Sequence, residues 1–455
     1  MPLLGLLLAM LLAGCTMTFA FDQCGRDEDC PQAMGKKQFC TSDRICAVGT
    51  PVERMCRETF PPSPAANAVP IGAILSLRAD NLSYQALQLG IDEINALSGS
   101  GHRPLVLYLC DVSGTDDDAP KAMKFLARER GVVAVVGPTA SGQVISVAAE
   151  AEAAQVPLVS PSATAPAIAT LPQAGKYVFR VAPSDELQGR VLANLVLDAS
   201  NQPRVGLLFV ESVYGKGLQE AFVTAWKAMG GPELVGSWSF QEKNEGAVRN
   251  AVKHALGTSM TDVVVISYLD TPLLVRELSG LKTGSNGTRI WMADGAKNQF
   301  LLDLLREMNP PPDAHFQRIR GTAPTVGSTG SVYSKFQTAF RAKFGTDPSA
   351  DAFAAYTYDA LYAIAIAIAY GRGSPSGPLV SAGLRRIAGE GMPVGVGQSK
   401  FLEAVGKMAM GQQVPLDGAS GKIRFNDRGD RMEALFEQWS IDVMMRRFTS
   451  VPAPL

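Results

Sequence analysis

The sequence predicts an α/β protein built from two doubly wound parallel-sheet lobes and preceded by a small disulfide-rich segment. Three observations lead there. From Val69 onward, short β-branched runs alternate with longer helical patterns, the signature of parallel βα units. Those runs spread over about 380 residues, more than one compact sheet usually carries. Ahead of them lie five cysteines at steps of 6, 10, 6 and 10, in a polar stretch too poor in apolar residues to bury a core of its own.

The overall composition narrows the class. Lys+Arg number 42 against 43 Asp+Glu, with 46% hydrophobic residues. A chain that grips phosphates shows a basic excess, and a disordered chain shows low hydrophobicity with strong net charge, so nucleic-acid binding and disorder are both disfavoured.

The elements follow in order. Residues 2–14 form an uncharged apolar run, short of the roughly 20 residues a membrane span needs, and read as an export signal. The run ends in Leu12-Ala13-Gly14-Cys15, which resembles the lipobox of bacterial lipoproteins and implies lipidation of Cys15. It lacks the usual Lys or Arg ahead of the apolar run, and cleavage after Thr18-Phe19-Ala20 is the competing reading. Apart from Cys15, six cysteines remain as disulfide candidates: Cys24, Cys30, Cys40, Cys46, Cys56 and Cys110. An even set suits an oxidising compartment, and its connectivity stays open. Zinc is disfavoured, because there is no Cys-x-x-Cys pair and no nearby His. The string Phe60 to Asn67 reads as a semi-rigid linker.

Strands are expected at residues 71–75, 105–109, 132–136, 157–159, 177–181, 205–210, 263–266 and 289–292. Helical patterns lie between them, as at 83–97, where Ala86, Leu87, Leu89, Gly90, Ile91 and Ile94 share one face. Residues 354–370 are apolar nearly all round, yet they span only about 25 Å and contain Asp359, so a buried core helix is expected. Asp116 to Asp118 read as acidic residues at a helix start rather than a calcium site. The three histidines read as surface residues, and the four tryptophans as core or lobe-surface aromatics. The division is a signal at 1–14 and an anchor, Cys-rich segment and linker at 15–68. Lobe I takes 69–183 plus 323–420, and lobe II takes 184–322 plus 421–455.

Ligands of open α/β sheets sit beyond the carboxyl ends of the strands, so the residues following each strand carry the information. Here they are Gly137 to Gly142, Ser160 to Thr164, Glu211 to Gly215, Ser267-Tyr268 and Ala293 to Gly295. Hydroxyls and backbone N–H groups at helix starts attract an anion, a carboxylate as well as a phosphate. Together with two tyrosines and Asp294, they answer the needs of a zwitterionic amino acid. The bland alternatives are a turn or cap role for Asp294, loop packing for the tyrosines and plain helix capping for Ser141 and Thr164.

The motifs Gly137-Pro138 with Ser141, Val156 to Thr164, Tyr214 to Gly217, Tyr358-Asp359-Ala360, and Gly418 to Phe425 with Gly429-Asp430 carry a family resemblance. The stretch from about Val69 to Val443 resembles the type I periplasmic substrate-binding proteins, in particular the branched-chain amino-acid-binding subgroup of ABC transporters. The resemblance implies a Venus-flytrap with three crossovers that closes on ligand without chemistry and needs no cofactor. It implies that Ser141 and Thr164 hold a carboxylate, with Ser162 and Ala163 supplying backbone groups. It further implies that Tyr214 and Tyr268 close from the second lobe and that Asp294 accepts from the ammonium. The branched-chain binders carry Glu where this chain has Asp294, and Asn426-Asp427 replaces the commoner Phe-Asp. The implied partners are an amino acid or related carboxylate, an inner-membrane ABC permease and the membrane itself through the anchor. The rival class is a sensor or scaffold lipoprotein acting on a protein, favoured by the unusual Cys-rich segment. No Walker A loop, Gly-x-Gly-x-x-Gly, Gly-x-Ser-x-Gly or His-Glu-x-x-His supports an enzyme.

Overall fold

The computed structural model describes residues 29–30, 38–40, 46–48, 50–99, 102–113, 117–281, 287–308, 313–326 and 331–454. The signal run, Cys15 and Cys24 lie outside the described residues. The chain divides into two compact units, Met1–Arg57 and Glu58–Leu455.

In the first unit, β1 (Gln38–Cys40) pairs antiparallel with β2 (Cys46–Val48). Cys30 passes over Cys40 in sequence to bond Cys46. A covalent tie substitutes here for a core the polar sequence cannot supply. The short helix Pro51–Met55 is held by a capping box: Thr50 accepts from Glu53 N while the Glu53 carboxylate accepts from Thr50 N at 2.7 Å. Cys56 is disulfide-bonded, as is Cys110 of the second unit.

The second unit holds two large sheets. The first contains β3 (Glu58–Phe60), β4 (Val69–Leu75), β5 (Leu105–Asp111), β6 (Val135–Val136), β7 (Leu158–Ser160) and β8 (Val178–Arg180), in the order β3-β5-β4-β6-β7-β8. The second contains β9 (Val205–Val210), β10 (Gly236–Phe240), β11 (Asp262–Ile266), β12 (Arg289–Met292) and β13 (Ile319–Pro324). After a small sheet of β14 (Val394–Gly395), β15 (Leu416–Gly418) and β16 (Gly421–Ile423), the chain returns to it with β17 (Phe436–Asp442) and β18 (Arg447–Pro452). The order there is β10-β9-β11-β12-β13-β17-β18, parallel up to β13 and antiparallel beyond it. The chain crosses between the sheets after β8, after β13 and after β16, so the two lobes are joined by three strands of chain.

Each sheet is covered on its faces, which is why its inner strands are continuous apolar runs: every residue of Asp262–Ile266 is buried. The first lobe's core gathers Ile71, Leu107, Val136 and the helix Ala354–Ile368. That helix is buried through Ala367. Its one charge, Asp359, accepts from Ala419 N at 2.8 Å, Ser420 N at 2.7 Å and Ser420 Oγ at 2.5 Å, so the motif around Gly418 serves to satisfy a buried carboxylate. No helix among the described residues is long and apolar enough to cross a membrane.

Two details differ from the sequence reading. Phe60, the first residue of the expected linker, ends an antiparallel edge strand, Glu58–Phe60, against β5. His315, read as a surface residue, is only 3% exposed and is bonded through Nε2 to Val275 O and through Nδ1 to Arg318. It lies on a four-residue helix, too short to show a periodicity that would reveal its inward face. His102 is half-buried against Phe401, and His254 is exposed. Trp226, Trp291 and Trp439 are core residues, and Trp238 is half-buried on the edge strand β10.

Candidate functional site

The strand orders locate the site. In the first sheet β5 and β6 leave β4 on opposite sides, and in the second β10 and β11 leave β9 on opposite sides. Such a reversal opens a crevice at the carboxyl ends of the strands. The loops after β4 and β6 in one lobe and after β9, β11 and β12 in the other line one cavity.

On the first lobe, Gly137 turns the chain sharply after β6. Its φ is +96°, and an added Cβ would stand 2.3 Å from Ile74 O, so a side chain there would push the loop off β4. The turn delivers Thr139 and the helix Ser141–Ala153, whose N-cap Ala140 has no side chain able to cap it. The first-turn N–H groups thus lack a side-chain acceptor where Ala140, Ser141 and Gly142 line the cavity. Ser141 Oγ accepts from Ala165 N at 3.2 Å, and Ser162 Oγ donates to Thr139 O at 2.9 Å, which ties the two loops together. Behind them Arg180, 1% exposed, binds Asp430 through Nε at 2.6 Å and donates to Ala165 O at 2.9 Å.

Asp80 opens the helix Asn81–Asn95 yet caps nothing there. Its carboxylate accepts from Ser76 N at 2.9 Å and Thr139 Oγ1 at 2.7 Å, and across the cleft from Tyr268 OH at 2.8 Å. Lys243 Nζ donates across to Ser113 O at 3.2 Å. The lobes therefore meet around the cavity.

On the second lobe, Ser212 caps the helix Val213–Ala228 by accepting from Gly215 N at 3.1 Å, which fixes Tyr214 on the first turn. Tyr214 OH donates to Asp294 Oδ1 at 2.6 Å, and Gln188 Nε2 donates to the same oxygen at 3.2 Å. Gly295 follows because an added Cβ would lie 2.5 Å from Ser267 O.

Burial dominates the electrostatics. It raises the carboxyls of Asp80 and Asp294 above the ordinary carboxylate range, against the pull of their hydroxyl and amide donors. Asp351 is raised to about 7, by burial first and by the neighbouring Asp80 among lesser causes. Asp185, at the crossover after β8, is held well above its usual range by burial and then by Asp294. Both its carboxylate oxygens are buried without a well-formed hydrogen bond, and so is Thr164 Oγ1 beside it. Burial likewise raises the hydroxyls of Tyr214 and Tyr268, so both remain donors at neutral pH.

Of the residues singled out in the sequence, Ser141, Ser162, Tyr214, Tyr268 and Asp294 line the cavity. Thr164 and Ala163 are buried and do not line it: Ala163 N donates to Ser160 Oγ at 3.1 Å, and Thr164 O accepts from Asp185 N at 2.9 Å. Thr139, in the strand-end loop the sequence marked, also lines it, and Asp80, Asp351 and Phe353 line it and were missed. Asp80 follows a strand and was reachable by the rule that found the others. Asp351 and Phe353 stand in the loop before the apolar helix, where no strand end marks them.

Comparison with known proteins agrees with this architecture. Residues 82–443 match the family model described as "Receptor family ligand binding region". The chain belongs to that family. It is a type I periplasmic binding protein, a binding protein rather than an enzyme. Among relatives, the chemotactic signal transduction system substrate-binding protein BasB of Halobacterium salinarum is 24% identical, over 77% of this chain and 80% of its own. The Leu/Ile/Val-binding protein BraC3 of Rhizobium johnstonii is 31% identical, over 52% of this chain and 64% of its own. Among solved structures, the branched-chain amino acid transporter substrate binding protein LivJ of Streptococcus pneumoniae, in complex with isoleucine, has a TM-score of 0.66 at 21% identity. That match covers 85% of this chain and 99% of that one. A solute binding protein of R. palustris in complex with benzoate has a TM-score of 0.66 at 14% identity, covering 85% of this chain and 97% of that one. The two structures establish the likeness of fold.

Proposed function

We propose that this chain is an extracytoplasmic receptor that captures an amino acid between its lobes and delivers it to an ABC permease. The observation that carries the reading is the pairing, in one cavity, of an uncapped helix start at Ser141 with the buried carboxylate of Asp294. The helix start suits an α-carboxylate. Asp294, set by Tyr214 and Gln188, suits an α-ammonium. A ligand bridging both lobes adds contacts that exist only in the closed state, beyond the direct Tyr268–Asp80 bond that already links the empty lobes. Isothermal titration of the purified full chain with the natural amino acids and with simple carboxylic acids tests this. Binding restricted to compounds carrying both groups supports the reading, and equal binding of deaminated analogues overturns it.

A second reading is supported by the relative from a chemotactic system: the loaded receptor reports to a membrane signalling partner. Cross-linking the loaded chain in membranes separates the two by whether a permease or a signal transducer is captured. Lipidation at Cys15 supports either mode by holding the receptor at the membrane. Intact-mass analysis should show a diacyl lipid on Cys15, and a mature chain starting at Phe21 contradicts it.

A further inference from the structure

The charges around the cavity are lopsided. Four acidic residues line it, Asp80, Glu242, Asp294 and Asp351, and among the described lining residues Lys297 alone is basic. Lys297 Nζ is bonded to Glu437 at 2.5 Å, with both side chains less than one-tenth exposed, and its charge also acts on Asp351. The acidic groups occupy two places. Asp294 stands with Tyr214 and Gln188. Asp80 stands with Tyr268, which joins it across the cleft, and Asp351 lines the same cavity. Exposed Glu242 also lines the cavity and acts electrostatically on Tyr268.

A branched-chain amino acid offers one ammonium and an apolar side chain. The ammonium satisfies Asp294 and leaves the second acidic group facing a hydrocarbon, which strips water from carboxylates and returns nothing. The wall between offers Val213 and Phe353, which suit the methylenes of a longer chain. Asp80 accepts from three donors, and a carboxylate has room for about four.

Resting on the amino-acid reading above, we infer that the ligand is a basic α-amino acid, of the lysine, ornithine or arginine class, whose side-chain cation sits between Asp80 and Asp351. The α-carboxylate takes the Ser141 helix start and the α-ammonium takes Asp294. Selectivity against neutral amino acids arises at the second acidic group.

Isothermal titration of the full chain with lysine, arginine, ornithine, leucine, Nε-acetyl-lysine and 1,5-diaminopentane tests this. Basic amino acids should bind, and neutralising the side-chain amine by acetylation should weaken binding about 30-fold or more, the scale for truncating one partner of a buried charge pair. Asp351→Asn, checked for folding by its thermal transition, should bind lysine about 30-fold or more weakly, and unchanged lysine affinity in the folded variant overturns the inference. Leucine or valine binding as tightly as lysine overturns this inference and leaves the amino-acid reading standing. Diaminopentane matching lysine removes the carboxylate role and overturns both, whereas silence of the whole panel against a folded chain overturns this inference alone.

Discussion

Replacing Tyr268 by Phe tests whether the two lobes are latched across the cleft. The substitution removes one O–H donor and nothing else of the ring, and the lost bond is the 2.8 Å contact to Asp80 Oδ1. Asp80 is 5% exposed, so water does not readily replace the donor, and its other partners, Ser76 N and Thr139 Oγ1, belong to its own lobe. A hydrogen bond to a charged group contributes about 1.5–3 kcal/mol. At a factor of ten per 1.4 kcal/mol, the closed-to-open ratio of the empty receptor should fall by roughly 10- to 150-fold. The exposed Lys243 bond to Ser113 O remains but cannot offset a buried one. Small-angle scattering of the ligand-free chain should show a larger radius of gyration for the variant, with the difference closing on saturation by ligand. Identical scattering curves for the two empty proteins refute the latch.

Further outcomes follow from the same geometry. Asp294→Ala should weaken an amino-acid ligand by about 2–5 kcal/mol, roughly 30-fold to several thousand-fold, read by calorimetry; unchanged affinity removes the ammonium role. Asp351 titrates at about 7 when folded, against an ordinary 3.8, so the folded chain holds an extra proton between those values. The melting midpoint of the empty protein should therefore fall as pH rises from about 4 to about 7, in the sense that Asp359, at about 6, also contributes; a midpoint rising across that window contradicts the assignment. Asp185→Asn supplies a neutral amide where a carboxyl lies buried without good partners, and should raise the midpoint, more at pH 8 than at pH 5. A lower midpoint at pH 8 would show that the carboxylate is satisfied. Asp430→Ala leaves the Arg180 guanidinium buried without its carboxylate and should cost about 3–5 kcal/mol in chemical denaturation; a loss below 1 kcal/mol counts against the pair as support for the Ser162 loop.

The lobed α/β fold was legible because its inner strands are covered on both faces. Runs such as Val263 to Ile266 have no polar alternation to confuse them with loops. The edge strand Gly236–Phe240 alternates half-buried and exposed positions and ends in a single buried Phe240, so it resembled a loop. The antiparallel return of Phe436–Asp442 and Arg447–Pro452 carries no βα rhythm at all. The site was legible only where strand ends announce it. Tyr214, Tyr268 and Asp294 each come within a few residues of a strand end, whereas Asp351 stands in a loop between helical segments and reaches the cavity by tertiary folding alone. Thr164 stands in a strand-end loop and still turns from the cavity, since position in sequence fixes the loop and not the direction of each side chain.

Ligand identity bears most directly on the whole account. Titration calorimetry of the full chain with individual amino acids, each repeated on Asp294→Ala, is the measurement to make. Amino acids should give heat on the native chain, strongest for those with a basic side chain, and that heat should be lost or sharply weakened in the variant. A folded native chain that gives no heat with any amino acid, or a variant that binds as well as the native chain, would contradict this.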